Sequence, residues 1–296
     1  MRRRFILGLL LPCLLLAGLL ALSPMAAQEA GGCPDATMTM AVIGDYGSGR
    51  RDAMDVAILV RTFVPDWVVT TGDNNYPTGA PETIDANVGR FYSAYIHPYK
   101  GRYGRGAAFP RFFPALGNHD VDWENGQPYF DYFTLPGNER YYTVRQGPVQ
   151  LFVLNSDWRE PDGIHQTKPQ ALWLRDGLAA SDAPWKLVVL HQPPFTSALN
   201  REPALHLQWP FAEWGASAVL AGHDHFYERL ESGGIPYFVN GAGGGGLYAI
   251  GEPEPQSLFR YNDDYGAMRI DAGETCIAYA FYNRAREQID ALVVRR

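Results

Sequence analysis

Met38-Thr39-Met40-Ala41-Val42-Ile43 runs straight into Gly44-Asp45-Tyr46-Gly47. An apolar run of this length, with no polar alternation, reads as a strand buried on both faces, the kind found in parallel sheets. The turn that follows is polar and glycine-rich. The same shape recurs at residues 67–71 before Gly72 and Asp73, at 186–190 before His191, and at 218–221 before Gly222 and His223. Helical patterns lie between these runs, at 54–63 and 171–178, the second opened by Thr167 with Gln170 three residues later as a capping box. Strands alternating with helices predict an α/β fold. From Ile235 onward the pattern becomes strand-like without helices, at 237–240, 267–270, 276–282 and 291–294, so the C-terminal part reads as α+β. A four-layer αββα sandwich, two facing mixed sheets with helices outside, accommodates both halves. Residues 78–111, rich in Gly, Tyr and Arg, read as an irregular excursion beside the site. Residues 241–246, with four consecutive glycines, read equally as a flexible turn or as a loop facing substrate.

The ends of the chain set its compartment. Met1 is followed by Arg2, Arg3 and Arg4, an apolar run over residues 5–22, then Ser23, Pro24, Ala26 and Ala27. That is the layout of a secretory signal over residues 1–27, or of an N-terminal anchor if it stays uncleaved. The expectation is an exported protein, secreted or periplasmic, that meets a membrane only through such a leader. Residues 34–296 are expected to form a single domain, and 46% apolar content supplies one sizeable core. Cleavage would leave 22 basic residues against 32 acidic ones, so no nucleic-acid polymer is expected as a partner. Cys33 and Cys276 remain after processing. In an oxidising compartment they are a candidate bridge, the alternative being two thiols.

Potential metal donors crowd the predicted strand ends: Asp45, Asp73, Asn118, His119, His191, His223 and His225. Residues at strand ends of an open α/β sheet converge on one crevice. Carboxylate, amide and imidazole donors suit iron, zinc or manganese, and a set without cysteine is not a closed structural zinc site. No dinucleotide cofactor is indicated, because Gly44-x-x-Gly47-x-Gly49 lacks the fingerprint spacing.

Singly these pieces are weak; their order is not. Gly44-Asp45-Tyr46-Gly47, Gly72-Asp73-Asn74-Asn75-Tyr76, Gly117-Asn118-His119-Asp120, Val188-Val189-Leu190-His191 and Gly222-His223-Asp224-His225 follow one another. Together, over residues 38–229, they resemble the five blocks of the calcineurin-like metallophosphoesterases. Most members carry Asp-x-His in the first block, but here Gly47 stands two after Asp45 and Tyr76 stands three after Asp73. A missing histidine beside a supplied tyrosine resembles the purple acid phosphatase branch, the tartrate-resistant acid phosphatase type included.

The resemblance implies two metal ions, with Asp45, Asp73, Tyr76 and His225 around the first and Asp73, Asn118, His191 and His223 around the second, Asp73 bridging. Iron(III) is implied at the first site, and iron(II), zinc or manganese at the second. It further implies that His119 contacts the phosphate and protonates the leaving group, with Asp120 orienting its ring. One departure concerns a further substrate histidine expected after the His191 block. Residues 192–201 contain none; Asn200 holds the approximate place and His206 lies further along. His97, His165 and His206 read as structural or solvated, and Glu228 and Arg229 as either hydrogen-bonding partners around the site or ordinary strand residues.

The leading expectation is therefore a phosphoric ester hydrolase, an acid phosphatase that attacks small-molecule phosphomonoesters with metal-activated hydroxide. An alternative with the same metals cleaves phosphodiesters or nucleotides, using a cleft bordered by Tyr92, Tyr95, Tyr99 and Tyr103 to stack bases. A third, a non-catalytic extracellular binder on the same fold, would show lost ligands, and none is lost.

Overall fold

The computed structural model describes residues 32–296; the predicted leader, residues 1–27, lies outside them. Thirteen strands among the described residues form two mixed sheets. The first sheet contains β1 (Met38–Ile43), β2 (Trp67–Thr70), β3 (Phe112–Pro114), β11 (Gly266–Ala272), β12 (Cys276–Asn283) and β13 (Gln288–Arg295), in the order β13-β12-β11-β1-β2-β3. The second contains β4 (Tyr142–Gln146), β5 (Val149–Val153), β6 (Trp185–Val189), β7 (Ala218–Ala221), β8 (Tyr227–Ser232), β9 (Ile235–Asn240) and β10 (Ser257–Tyr261), in the order β10-β8-β9-β7-β6-β5-β4.

Side chains alternate across a strand, and β1 uses both of its faces. Met38, Met40 and Val42 point into the core between the sheets, against Leu151, Leu187, Leu220 and Phe238 of the second sheet. Ala41 and Ile43 point outward under α1 (Arg51–Thr62), whose Val56, Leu59 and Val60 are buried there. On the far side, the helix Pro169–Ala180 lays Ala171, Leu174 and Leu178 over Phe152, Val188 and Val219. The order is helix, sheet, sheet, helix, as the sequence patterning predicts.

Within the first sheet β1, β2 and β3 run parallel, while β1 pairs antiparallel with β11, Met40 opposite Ile270. Within the second, β5, β6, β7 and β9 run parallel. The carboxyl ends of these two parallel sets meet along one edge of the sandwich, and every donor-bearing loop leaves from there.

Two local expectations are corrected. Gln170 does not close a capping box: its side chain accepts from the Asn155 N–H at 2.8 Å and donates to the Asn155 carbonyl at 2.9 Å, so it clamps the loop after β5 instead. The helix starts behind Lys168, with no side-chain cap. The excursion over 78–111 is also more ordered than its composition suggests. It is built of short helical turns, Pro81–Ile84, Asp85–Gly89, Arg90–Tyr92 and Ser93–Tyr95, pinned by Asp85, which accepts from the hydroxyls of Tyr99 and Tyr132.

Candidate metal centre

Asp45 and Asp73 follow directly on the first two parallel strands, and both are buried, with 0% and 1% exposure. Two buried carboxylates demand a counter-charge. Both sit at positive φ, 55° and 53°, as does His223 at 70°. Left-handed backbone at a non-glycine residue costs on the order of 1–3 kcal/mol and persists where the surroundings over-determine it. Here it turns three polar side chains towards the same point.

The donor atoms form two groups. In the first, Tyr76 Oη lies 3.2 Å from Asp45 Oδ1 and 3.1 Å from His225 Nε2, and His225 Nε2 lies 3.2 Å from Asp45 Oδ1. In the second, His191 Nε2 lies 3.1 Å from Asn118 Oδ1, 3.1 Å from His223 Nδ1 and 3.4 Å from Asp73 Oδ1. Asp73 joins the groups, since ligand atoms of Asp45, Asp73 and His191 lie within 4.8 Å of one another.

The imidazoles are held ready from behind, in the way ligating histidines usually are. His191 Nδ1 donates to the Thr71 carbonyl at 2.8 Å and His225 Nδ1 to the Gly246 carbonyl at 2.7 Å, so both Nε2 atoms face the centre. His223 is turned the other way. Its Nδ1 faces the centre and its Nε2 meets the guanidinium of Arg201. Burial, then His191 and Arg201, push His223 down to about 2, which keeps it a neutral donor. At His191 burial pulls the same way, but the Asp73 carboxylate outweighs it and raises the ring to about 10. A buried imidazole drawn to its charged form by carboxylates marks a pocket built for a cation. Oxygen and nitrogen donors this close, aimed inward and anionic on balance, fit a pair of metal ions.

His119 stands at the rim, its side chain 37% exposed. Its Nδ1 is tied to the Pro77 carbonyl at 2.5 Å, and its Nε2 lies 3.9 Å from Asp73 Oδ2. Asp120, expected to orient that ring, does not touch it. Its carboxylate accepts from the N–H groups of Gly117, Asn74 and Asn75 at 2.9–3.1 Å and from Asn74 Nδ2 at 2.8 Å, so it braces two donor loops against each other.

Arg201, Asp224 and Tyr248 escaped the sequence reading. The Arg201 guanidinium contacts Asp224 and stacks over Tyr248 at 5.0 Å, and Tyr248 in turn stacks on the His225 ring at 4.1 Å. Asn200, at the place where a substrate histidine is expected, is exposed, and it is its neighbour Arg201 that reaches His223. His206 packs with His165 on the surface, and His97 Nδ1 donates to the Ala107 carbonyl at 2.9 Å. Glu228 accepts from Ser197, and Arg229 pairs with Asp290; neither reaches the donors. The tyrosine cleft is also corrected. Tyr92 and Tyr95 are buried in the outer layer, with Tyr99 packed against them, and neither these nor Tyr103 line the opening beside the donors.

The sequence profile of the calcineurin-like phosphoesterases matches residues 38–227, and the chain belongs to that family. Its relatives place it on the purple acid phosphatase branch. It is 25% identical over 249 residues to mouse tartrate-resistant acid phosphatase type 5, covering 72% of this chain and 74% of that protein. It is 24% identical over 221 residues to the Fe(3+)-Zn(2+) purple acid phosphatase 12 of Arabidopsis thaliana, covering 67% and 44%. Its fold matches a purple acid phosphatase from yellow lupin seeds with a TM-score of 0.67 at 18% identity, over 88% of this chain and 54% of that one. The chain is thus a metal-dependent phosphoric ester hydrolase.

Proposed function

We propose that the chain is an acid phosphatase that hydrolyses small-molecule phosphomonoesters at a dinuclear centre. The first ion would be held by Asp45, Asp73, Tyr76 and His225, the second by Asp73, Asn118, His191 and His223. The observation that carries this reading is the pair of donor groups, each closed to 3.1–3.4 Å and joined through Asp73.

When bound, two adjacent cations supply polarisation of a phosphoryl oxygen and an acidified water for in-line attack. Two carboxylates and a phenolate make the first donor set hard and anionic, which suits iron(III). An amide and two imidazoles suit a divalent ion, iron, zinc or manganese. His119 has its Nδ1 committed to Pro77, so its Nε2, 3.9 Å from Asp73 Oδ2, is the atom left to hand a proton to a departing alkoxide. Arg201 stands beside the second donor group, its guanidinium against His223 and Asp224. The Cys33–Cys276 disulfide supports export, because such a bond persists in an oxidising compartment.

Metal analysis of the purified full chain, with kinetics on p-nitrophenyl phosphate and bis-p-nitrophenyl phosphate, tests the reading. Two ions per chain, loss of activity on chelation and preference for the monoester are expected. One ion per chain, or preference for the diester, overturns it.

A further inference from the structure

Beside the first donor group the surface opens into a cleft of about 360 Å3, bordered by Ser48, Arg50, Tyr76, Pro77, His225 and the backbone of Gly245 and Gly246. Tyr76 and His225 belong to the proposed first-ion site. A substrate whose phosphoryl group sits at the centre therefore has this cleft open to the remainder of its structure.

Arg50 supplies the guanidinium on the lining. It stands exposed immediately before α1. Among the described residues its guanidinium has no ion pair and no side-chain hydrogen bond, whereas the acidic groups of the following turn are already engaged. Asp52 is held by Arg284 at 2.6 Å and Asp55 by Arg51 at 3.5 Å. An arginine left unneutralised in a chain of net charge −7, on the lip of an anion-processing centre, is a feature the metal chemistry leaves unused.

We infer that this cleft is a subsite for a second phosphoryl group, so that the substrate class is a phosphate compound carrying two of them. The inference rests on the phosphomonoesterase reading above. The terminal phosphoryl group lies at the centre and the second lies against Arg50. Water adds to the terminal phosphorus and gives up a proton, the bond to the ester or anhydride oxygen breaks, and orthophosphate departs. In an anhydride the retained phosphoryl group takes up the negative charge facing the guanidinium; in a bisphosphate ester the leaving alkoxide is protonated and the second phosphoryl group keeps the charge by which Arg50 holds it. Ser48 takes no part in recognition, because its hydroxyl already donates to the Gly244 carbonyl at 2.8 Å. Recognition is thus electrostatic, tolerant of the linking group and weakened by salt.

Matched substrate pairs test this on the metal-loaded full chain: glucose 6-phosphate against glucose 1,6-bisphosphate, and AMP against ADP. A higher kcat/KM for the doubly phosphorylated member is expected, falling at high ionic strength. Preference confined to the sugar pair assigns the subsite to bisphosphate esters, and preference confined to the nucleotide pair assigns it to anhydrides. Arg50→Ala should lower kcat/KM for the preferred member by about 5- to 20-fold, the range of a charge-assisted contact at a partly exposed site, and leave the singly phosphorylated member unchanged. Arg50→Lys should keep most of the preference and Arg50→Glu should reverse it. An enzyme that hydrolyses p-nitrophenyl phosphate yet shows no preference in either pair, or an Arg50→Ala variant that slows both members alike, sinks the subsite alone. Failure to hydrolyse any monoester sinks the reading and the subsite together.

Discussion

At Gly47 a β-carbon would stand 2.2 Å from the Asn74 carbonyl and 2.4 Å from the Asn75 nitrogen, so no side chain can grow where most of the family carries a histidine. The loop that fills this space is the one that delivers Tyr76, whose N–H donates to the Gly47 carbonyl at 2.9 Å. Absence of one donor and supply of the other are a single steric event. Burial, and then the Asp45 carboxylate, push the Tyr76 phenol well above its ordinary range, so without a cation it holds its proton. If Tyr76 binds the proposed first ion as a phenolate, loading must release that proton and is favoured as pH rises. Tyr76→Phe should release about one proton fewer on loading, bleach any visible charge-transfer band and shift the pH optimum upward, because a divalent replacement acidifies water less. Unchanged colour and unchanged proton release would reject the phenolate. Asp45, Asp73, Asn118 and His223, which gather at the centre, were legible because each directly follows a glycine in a short block. Arg201 and Tyr248 were not, since only tertiary folding brings them to His223 and His225. Asp120 was misread because adjacency in sequence to His119 says nothing of which way a carboxylate points.

Continuous apolar runs made β1, β2, β6 and β7 readable, within a residue or so at each end. Strands β4 and β10, half exposed and mixed in composition, offer no such run and went unread. The glycine segment left two readings open, and its packing is not that of a flexible turn. A β-carbon on Gly244 would lie 2.6 Å from Ala53 of α1, and one on Gly245 would lie 2.7 Å from His225 Cε1 and 3.1 Å from the Asp45 carbonyl. The segment is a close-packed brace between helix and donors, and Gly246 has open space around the same position. Gly245→Ala should therefore displace His225, strip the first ion and lower kcat at least tenfold, about the smallest effect of disturbing a metal's supporting residues. Gly246→Ala should leave metal content and kcat as they are. Equal behaviour of the two variants in metal analysis would show that His225 does not depend on this packing.

Cys33 and Cys276 are bonded across a sequence separation of 243 residues, fastening the segment before β1 to the start of β12. Cross-linking so long a loop restricts the unfolded chain, and native disulfides are typically worth about 2–5 kcal/mol. Cys33→Ser with Cys276→Ser should lower the free energy of unfolding by that amount, and the denaturation midpoint with it, while leaving kcat at room temperature intact, because the bond lies at the start of β12 and before β1 rather than among the donors. A midpoint that does not move would assign the bond no stabilising role. The two-sheet architecture was legible from the switch in patterning after Ile235, whereas the pairing of the strands was not, since register is set by partners far apart in the chain. That pairing has a consequence in time. Strand β1 carries Asp45, emerges early from the ribosome and finds its antiparallel neighbour only when β11 has been made. Until then one edge of β1 has no partner, the ion-binding loops have no fixed frame, and long-range closure keeps folding slow. A chain whose centre cannot assemble before nearly all of it has been synthesised stays without its ion-binding frame until late in its own synthesis.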